Sequence, residues 1–373
     1  MRGATTADIA IVGGGIAGLS LAAAIGGRAR VVLLEAEPEL FHHTSSRSAE
    51  QMQPTYGPAA VRRLTTASIP MVQAVADRLG TPVFSPRPLL WVSYTEARGH
   101  LDELLATVPG LDEVDAAEAV RLLPALLPDP LRGAAIDRSA VEVWVPLLLE
   151  AYRSAALDAG VDIRNAARVE RAERVGGSWR LTAGGARLEA PMVVDAAGAW
   201  AERVAALLGA AGRGLVPKRR TVAVSVPTGR PVEPGWAMAA DVADRFYFRP
   251  RAEAVLACAL EDEPSEPEDA QPRPEIVATA LERVNAVTDL ALTGATSAWT
   301  GLRTVAPDAL PVVGRDGQVP GFYWLAGQGG YGIQTSAALA AVVAADLLRE
   351  PHGLPGLDGV LAELSPARTA LRP

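Results

Sequence analysis

The sequence predicts an α/β chain: a parallel sheet flanked by helices, interrupted by an α+β part built on antiparallel strands. Three observations predict it. The chain opens as strand, glycine turn, helix, strand. Strand and small-residue-turn segments that lead into helices return in its middle and near its end. Between them lie β-rich stretches that do not alternate with helices.

Residues 1–35 read as a βαβ unit. The apolar strand Asp8-Ile9-Ala10-Ile11-Val12 runs into Gly13, Gly15 and Gly18, spaced G-x-G-x-x-G. A small-residue helix follows, beginning at Ile16-Ala17, and then the strand Val31-Val32-Leu33-Leu34, which ends in Glu35. In that setting the motif is a dinucleotide grip. Gly13 permits the tight turn, Gly15 lets backbone N–H groups approach a pyrophosphate, and Gly18 lets the helix pack close on the sheet. The helix N-terminus adds partial positive charge for the phosphates. Glu35 stands about 20 residues beyond Gly15, the spacing of an acid that accepts hydrogen bonds from a ribose diol. An acid there argues against a ribose 2′-phosphate, hence against NADP.

Residues 36–60 read as a polar loop. A helix is expected over 58–79, with Val61, Leu64, Met71, Val72, Val75 and Leu79 as its apolar positions and Gly80 as its stop. Residues 82–94 are strand-like after the turn Ser85-Pro86-Arg87-Pro88. Residues 96–131 read as helices cut by Pro109, Pro124, Pro128 and Pro130. A helix over 146–159 leads through Gly160 to a strand at 161–163. Residues 168–188 read as two or three antiparallel strands turning at Gly176-Gly177 and Gly184-Gly185. A buried strand, 191–195, ends in Ala196-Ala197-Gly198, and a helix follows over 201–208.

Beyond residue 217 the β segments 221–226, 236–240, 245–248 and 254–260 follow one another. The acidic, proline-rich stretch 261–274 reads as a solvated loop. A helix at 275–288 and a strand at 296–303 come next. The apolar strand 322–326, the glycine turn 327–332 and a helix over 333–348 close the pattern. These returns predict a discontinuous nucleotide-binding domain, 1–80, 141–216 and 300–373, with a substrate domain from 81–140 and 217–299.

Composition bounds the function. With 373 residues, 49% hydrophobic and 21% charged, the chain suits a globular enzyme. A net charge of −8 argues against nucleic acid as a partner. No segment reaches the roughly 18 apolar residues of a membrane span, and no signal-peptide pattern stands at the start, so a cytoplasmic protein is expected. The single cysteine, Cys258, excludes a disulfide framework within the chain. His42, His43, His100 and His352 show no metal-ligand spacing, so no metal is expected.

Four stretches carry a family resemblance: Ile11 to Gly18 with Glu35; Thr44-Ser45-Ser46-Arg47-Ser48; Val193 through Trp200; and Trp299-Thr300-Gly301-Leu302-Arg303 with Gly327 to Gln334. They resemble the D-amino-acid oxidase/glycine oxidase family of FAD-dependent oxidoreductases, which has a glutathione-reductase-type, Rossmann-like FAD domain. Within it, Ser85-Pro86-Arg87-Pro88, Pro217-Lys218-Arg219-Arg220, Phe246-Tyr247 and Gln328 to Ala337 are most similar to the bacterial D-arginine dehydrogenases. The resemblance implies non-covalent FAD and hydride transfer from substrate to flavin N5, giving an imine that hydrolyses to a keto acid or aldehyde. It assigns cofactor contacts to Gly13, Gly15, Ile16, Ala17, Gly18, Glu35, Ala36, Ser45, Ser46, Arg47, Ser48, Val169, Ala196 and Gly198. At the closing turn it adds Gly329, Gly330, Tyr331, Gly332, Ile333 and Gln334.

The same resemblance puts the substrate carboxylate on Arg220 and Arg303, whose planar forks suit a carboxylate. From the residues alone, either Arg219 or Arg220 could face inward. Tyr247 alternates with Phe246 and Phe248, so its hydroxyl faces away from those rings. Tyr56 is expected as a mobile lid, the Gly330 carbonyl as a contact for the substrate amine, and Gln51 as a lid-loop side chain. Two departures stand out. Leu89 occupies the place of the acid that recognises a guanidinium, and Gln51 and Gln53 replace a histidine and a threonine. The expected substrate is therefore a D-amino acid other than a D-arginine specialist's, with Leu89, Leu90 and Trp91 shaping an apolar pocket. The alternatives are a secondary amine or N-substituted amino acid, a non-catalytic flavoprotein subunit of an electron-transfer complex, and an NAD-dependent dehydrogenase. The expected partners are an amino acid or amine, an electron acceptor not identified by the sequence, and at most a second copy in a homodimer.

Overall fold

The computed structural model describes residues 5–94 and 97–371. The first and last residues of the expected nucleotide-binding segments, the expected helical start at residue 96 and the Leu79 side chain lie outside the described residues.

A six-stranded sheet runs in the order Asp162–Arg164, Val31–Leu34, Ile9–Val12, Met192–Asp195, Phe322–Ala326 and Val312–Arg315. The first five are parallel; Val312–Arg315 pairs antiparallel with Phe322–Ala326. Strands this apolar are buried on both faces, as a parallel sheet requires. Their period of two sorts the side chains. Ile11, Leu33, Val194 and Tyr323 pack with Leu19, Leu64, Leu148 and Val343 of the helices Ile16–Ile25, Ala59–Leu79, Val145–Asp158 and Gly332–Leu348. Ala10, Val12, Val32, Val193 and Trp324 pack with Trp179 and Leu181 of a four-stranded sheet, Thr5–Thr6, Ala186–Ala190, Ser178–Ala183 and Val169–Val175. That second sheet contains the three-strand meander the glycine pairs predict.

An eight-stranded sheet runs Ser297–Val305, Val216–Ser225, Ala254–Cys258, Tyr247–Arg251, Met238–Asp241, Leu89–Tyr94, Leu131–Asp137 and Asp112–Val114. One face, with Leu90, Val92, Ile136, Phe246 and Phe248, is covered by the helices Pro274–Asn285 and Ala116–Leu122. The opposite face carries Trp91, Val222, Met238, Ala240 and Tyr247, and it looks onto the six-stranded sheet's glycine turns. A small sheet of Gln51–Met52, Val141–Val143 and Phe84–Pro86 links the two parts.

The structure departs from or adds to the sequence expectations at three points. The stretch 96–131 is not purely helical: charged Asp112–Val114 forms an edge strand, and Leu131–Asp137 starts a strand where helix was expected. The short strand Val312–Arg315, which no sequence pattern marks, pairs antiparallel with Phe322–Ala326. Most consequential, 261–274 is the largely exposed loop expected, but it is pinned by ion pairs that its composition does not reveal. Glu268 pairs with Arg219 at 2.6 Å, Glu266 with Arg203 at 3.1 Å, and Asp269 with Arg47. The acidic loop is thus tied to the strand Val216–Ser225, to the helix Ala201–Leu207 and to the loop around Arg47. The expected boundaries at 216/217 and 299/300 fall within Val216–Ser225 and Ser297–Val305, which pair along their length. No helix among the described residues is long and apolar enough to cross a membrane.

Candidate functional site

Two cavities meet at Thr44 and Ser45, which line both. The first lies at the carboxyl ends of the parallel strands, where open α/β sheets bind ligands. Gly13, Gly15, Glu35, Ala36, Ser45, Val169, Ala196 and Gly198 line it.

Two glycines of the turn beside it are required by geometry. Gly13 has φ +111°, and a Cβ there would stand 2.4 Å from the Ala196 carbonyl oxygen. A Cβ on Gly18 would stand 2.0 Å from the Gly13 carbonyl oxygen, so helix and turn can touch only as they do. Glu35 does more than wait for a ribose. Its Oε2 accepts from the Gly14 N–H at 2.7 Å and its Oε1 from the Glu37 N–H at 2.8 Å. The carboxylate therefore shapes the turn, and Gly14, given no role in the sequence reading, closes against it. The Ile16 N–H at the helix start donates to Ser45 Oγ at 2.9 Å. Beneath the cavity floor, Asp195 is fully buried; it accepts from the Ala197 N–H at 3.1 Å, and burial holds its carboxyl well above the usual carboxylate range.

The rim holds residues the sequence reading left out. His43 packs on Trp200 with ring centroids 4.6 Å apart, and Arg203 stands beside them. Glu37, His42 and His43 bring potential ligand atoms within 4.8 Å of one another, a grouping their sequence spacing does not reveal.

The second cavity gathers Tyr56, Gln51, Arg220, Tyr247, Arg303 and Gly330 from separate segments. Strand register resolves the arginine pair. Arg220 lines the cavity, whereas Arg219 donates to Glu268 and the Gln271 carbonyl on the other side of the strand. Arg303 makes no ion pair with a carboxylate among the described residues. Gly330 packs on it: a Cβ there would lie 2.8 Å from Arg303 Cζ. Burial works against the Arg303 charge, but Tyr56, Tyr247 and Cys258 around it outweigh that and hold its pKa above the ordinary value. Tyr247 is buried and faces away from Phe246 and Phe248, as its alternation predicts. Burial, then Cys258 opposite it, push its hydroxyl pKa up against the pull of Arg303 and Arg220, so it stays a neutral donor.

Tyr56 stands edge-on to Tyr331 at 5.3 Å and lies 6.1 Å from Trp91. Its loop is anchored one residue earlier, where Thr55 Oγ1 donates to the buried Asp137 at 2.7 Å. Gln51 Nε2 donates to the Arg87 carbonyl at 2.8 Å, leaving Oε1 without a partner. Trp91 Nε1, Arg220 Nε and Gln334 Nε2 also lack partners on this wall. Buried polar atoms in that condition are where a ligand's polar groups pair.

Other expected cofactor residues fall as follows. Ile16, Arg47, Ser48, Gly329, Gly332, Ile333 and Gln334 line the second cavity, next to the first. The Arg47 guanidinium is already bonded to the Thr300, Ala270 and His42 carbonyls and to Asp269. Ala17, Gly18, Ser46 and Tyr331 line neither cavity; Ser46 is exposed and donates to the His43 carbonyl at 3.1 Å. Leu89 is corrected too: it is 0% exposed and not on the cavity wall, because its neighbour Trp91 takes that place. Leu90 faces the opposite side of the sheet. Thr44, whose Oγ1 donates to the Leu302 carbonyl at 3.0 Å, and Met238, Val222 and Asp244 complete the site.

A family model described as "FAD dependent oxidoreductase" (DAO) matches residues 8–346. Among solved structures, glycine oxidase from Geobacillus kaustophilus superposes with a TM-score of 0.83 at 22% identity, covering 98% of this chain and 99% of that one. L-proline dehydrogenase from P. horikoshii gives 0.84 at 17%, covering 98% of each chain. Iminodiacetate oxidase from Chelativorans sp. BNC1 gives 0.80 at 21%, covering 96% of this chain and 98% of that one. At such identities the structural likenesses establish a shared fold.

Proposed function

Because the chain belongs to the DAO family of FAD-dependent oxidoreductases, we propose that it oxidises the C–N bond of an amino acid, a D-amino acid first. The six-stranded sheet and its helices form the FAD half, and the eight-stranded sheet forms the substrate half. The glycine turn, Glu35, Ser45 and the wall from Ile16 to Gln334 fit a long dinucleotide that extends from one cavity into the next. When bound there, FAD supplies a two-electron acceptor. The only cysteine, Cys258, lines neither cavity, which supports non-covalent attachment.

The protein's own part is binding and orientation. Arg303 takes the substrate carboxylate in its fork, Arg220 adds a second cation, and the Tyr247 hydroxyl donates to the same group. The Gly330 carbonyl and Gln51 Oε1 accept from the amine. Tyr56, against Tyr331 and Trp91, closes the mouth and excludes water. The amine reacts in its neutral form, so no dedicated strong base is required. Gly332 and Ile333, at the N-terminus of Gly332–Leu348, aim that helix's positive end at the cavity and favour negative charge there. Released imine hydrolyses to a keto acid or aldehyde with loss of the amine nitrogen. We place this reaction in the cytoplasm, with an electron acceptor still to be identified.

The observation that carries the reading is the convergence of Arg220, Arg303, Tyr247, Tyr56 and Gly330 on one cavity that adjoins the glycine turn. Two guanidiniums on that wall favour a second reading: a secondary amine or N-substituted amino acid bearing two carboxylates. The test is anaerobic mixing of the FAD-loaded enzyme with D- and L-amino acids, N-carboxymethyl amines and 2-hydroxy acids while flavin absorbance is followed. Bleaching by D-amino acids is expected. Bleaching by N-substituted amines alone establishes the second reading, and bleaching by none of them leaves a non-catalytic flavoprotein.

A further inference from the structure

We propose that Glu142 is a positioning residue: through Arg87 and Arg249 it fixes the stretch of cavity wall that presents the Gln51 side-chain oxygen to the substrate. The inference rests on the cavity being an amino-acid or amine site, as argued above.

The wall stretch is 48–53. Ser48, Ala49, Gln51 and Gln53 line the cavity. Glu50 stands among them at a φ of +60°. A residue with a Cβ keeps that left-handed conformation only where its surroundings over-determine it. Here they do. The Val143 N–H donates to the Glu50 carbonyl at 3.0 Å. Arg249, 0% exposed, donates from Nε to the Ala49 carbonyl at 2.8 Å and from Nη2 to the Glu50 carboxylate. Its Nη1 donates to Glu142 Oε1 at 2.7 Å.

The other Glu142 oxygen serves a second arginine. Glu142 Oε2 accepts from Arg87 Nη2 at 2.6 Å and from Arg87 Nε at 3.1 Å. Arg87 is buried, and its Nη1 donates to the Pro234 and Trp236 carbonyls at 2.8 and 2.6 Å. No residue of Ser85-Pro86-Arg87-Pro88 lines either cavity, yet the turn reaches the site through its backbone. The Arg87 carbonyl accepts from Gln51 Nε2 at 2.8 Å. In the small sheet Glu142 pairs directly with Gln51 on one side and with Ser85 on the other. Directly opposed residues share a face, so one carboxylate joins both guanidiniums behind the wall.

The consequence falls on the Gln51 amide. An amide offers a donor at one end and an acceptor at the other. The Arg87 carbonyl can take only the donor, which leaves Oε1 as the end without a partner among the described residues. A displaced Arg87 would free the amide to turn and offer N–H groups to the substrate nitrogen instead. Ion pairs in buried surroundings add little net stability over apolar packing, so direction is the stronger reason for this network.

The test is a double-mutant cycle of Glu142→Gln and Gln51→Ala. It is read by anaerobic flavin reduction with the amino acid or amine that reduces the parent fastest, and FAD content and melting temperature are recorded for each variant. Gln keeps the shape of Glu142 but not the charge that both guanidiniums share. E142Q is expected to raise KM about 10-fold with kcat and FAD content little changed. In the Gln51→Ala background the same substitution should change KM by less than about 2-fold, because its effect runs through Gln51. If E142Q does not accumulate as FAD-loaded protein, Glu142→Asp takes its place. It keeps the charge but is one methylene short of spanning both arginines, and the same non-additive pattern is expected with a smaller rise. An equal rise in KM in both backgrounds overturns the proposal. So does a parental KM, whether the melting temperature falls or holds, and in either case the amino-acid reading stands. Absence of flavin reduction in the parent by every amino acid and amine overturns that reading and the proposal together.

Discussion

At Arg303 the guanidinium lies so close to the Gly330 Cα that one added methyl group would reach within 2.8 Å of Cζ. Gly330→Ala should therefore displace the fork without disturbing the fold, because Gly330 does not sit at positive φ. The expected result is a KM raised about 10-fold with the melting temperature little changed, read from steady-state kinetics and a thermal melt. Arg303→Lys keeps the charge but loses the two-pronged geometry, and kcat/KM should fall about 100-fold. A variant with parental kcat/KM would remove Arg303 from the carboxylate site. The same scale shows what sequence can and cannot say. Arg219 and Arg220 are adjacent and chemically identical; only the alternation of the folded strand, with Arg220 on the cavity wall and Arg219 bonded to Glu268 and the Gln271 carbonyl on the other side, reveals which one faces the cavity. Asp244 belongs to no local pattern, since a turn between two strands carries it to the site.

The elements around the site rest on buried carboxylates of opposite character. Asp195, at the end of Met192–Asp195, has a pKa raised by burial. The folded state therefore holds a proton that the unfolded chain has lost, and stability declines as pH rises from the ordinary carboxylate value toward the folded value. Asp195→Asn keeps an acceptor for the Ala197 N–H and should flatten that decline, as denaturant melts between pH 5 and pH 8 would reveal. Asp316 behaves in the other sense. Burial would raise its pKa, but Trp324 Nε1, the Gln318 and Val319 N–H groups and Arg213 outweigh it and hold it low. Its contribution is present above the unfolded carboxylate pKa and is lost as pH falls through the lower folded value. Asp316→Ala strands Arg213 beside the Val312–Arg315 hairpin and should cost about 3–5 kcal/mol by urea unfolding. The glycine-turn unit was legible because each of its parts is local: apolar strand, three glycines, apolar strand, acid. Val312–Arg315 and Asp112–Val114 were not. A four-residue strand holding a glycine and a three-residue strand holding two acids carry too little periodic signal, and only their neighbours make them strands.

Across the whole molecule, the six-stranded sheet presents the cavity proposed for the dinucleotide and the eight-stranded sheet the cavity proposed for the substrate, joined at Thr44 and Ser45. The sequence conveyed the first because its grip is contiguous, and conveyed the second only through resemblance, because Tyr56, Arg220, Tyr247 and Arg303 are far apart along the chain. The acidic loop 261–274 could not be read as a clasp from its composition alone. Charge and proline mark exposure, but the arginines that hold it come from the strand Val216–Ser225, the helix Ala201–Leu207 and the loop around Arg47. The central claim is that these two cavities together oxidise an amino acid with FAD. Anaerobic mixing of the FAD-loaded enzyme with single D-amino acids tests it most directly. The account predicts full loss of flavin absorbance with release of a stoichiometric keto acid, and a strongly slowed loss in Arg303→Lys. A flavin that stays oxidised with every amino acid and amine would contradict it.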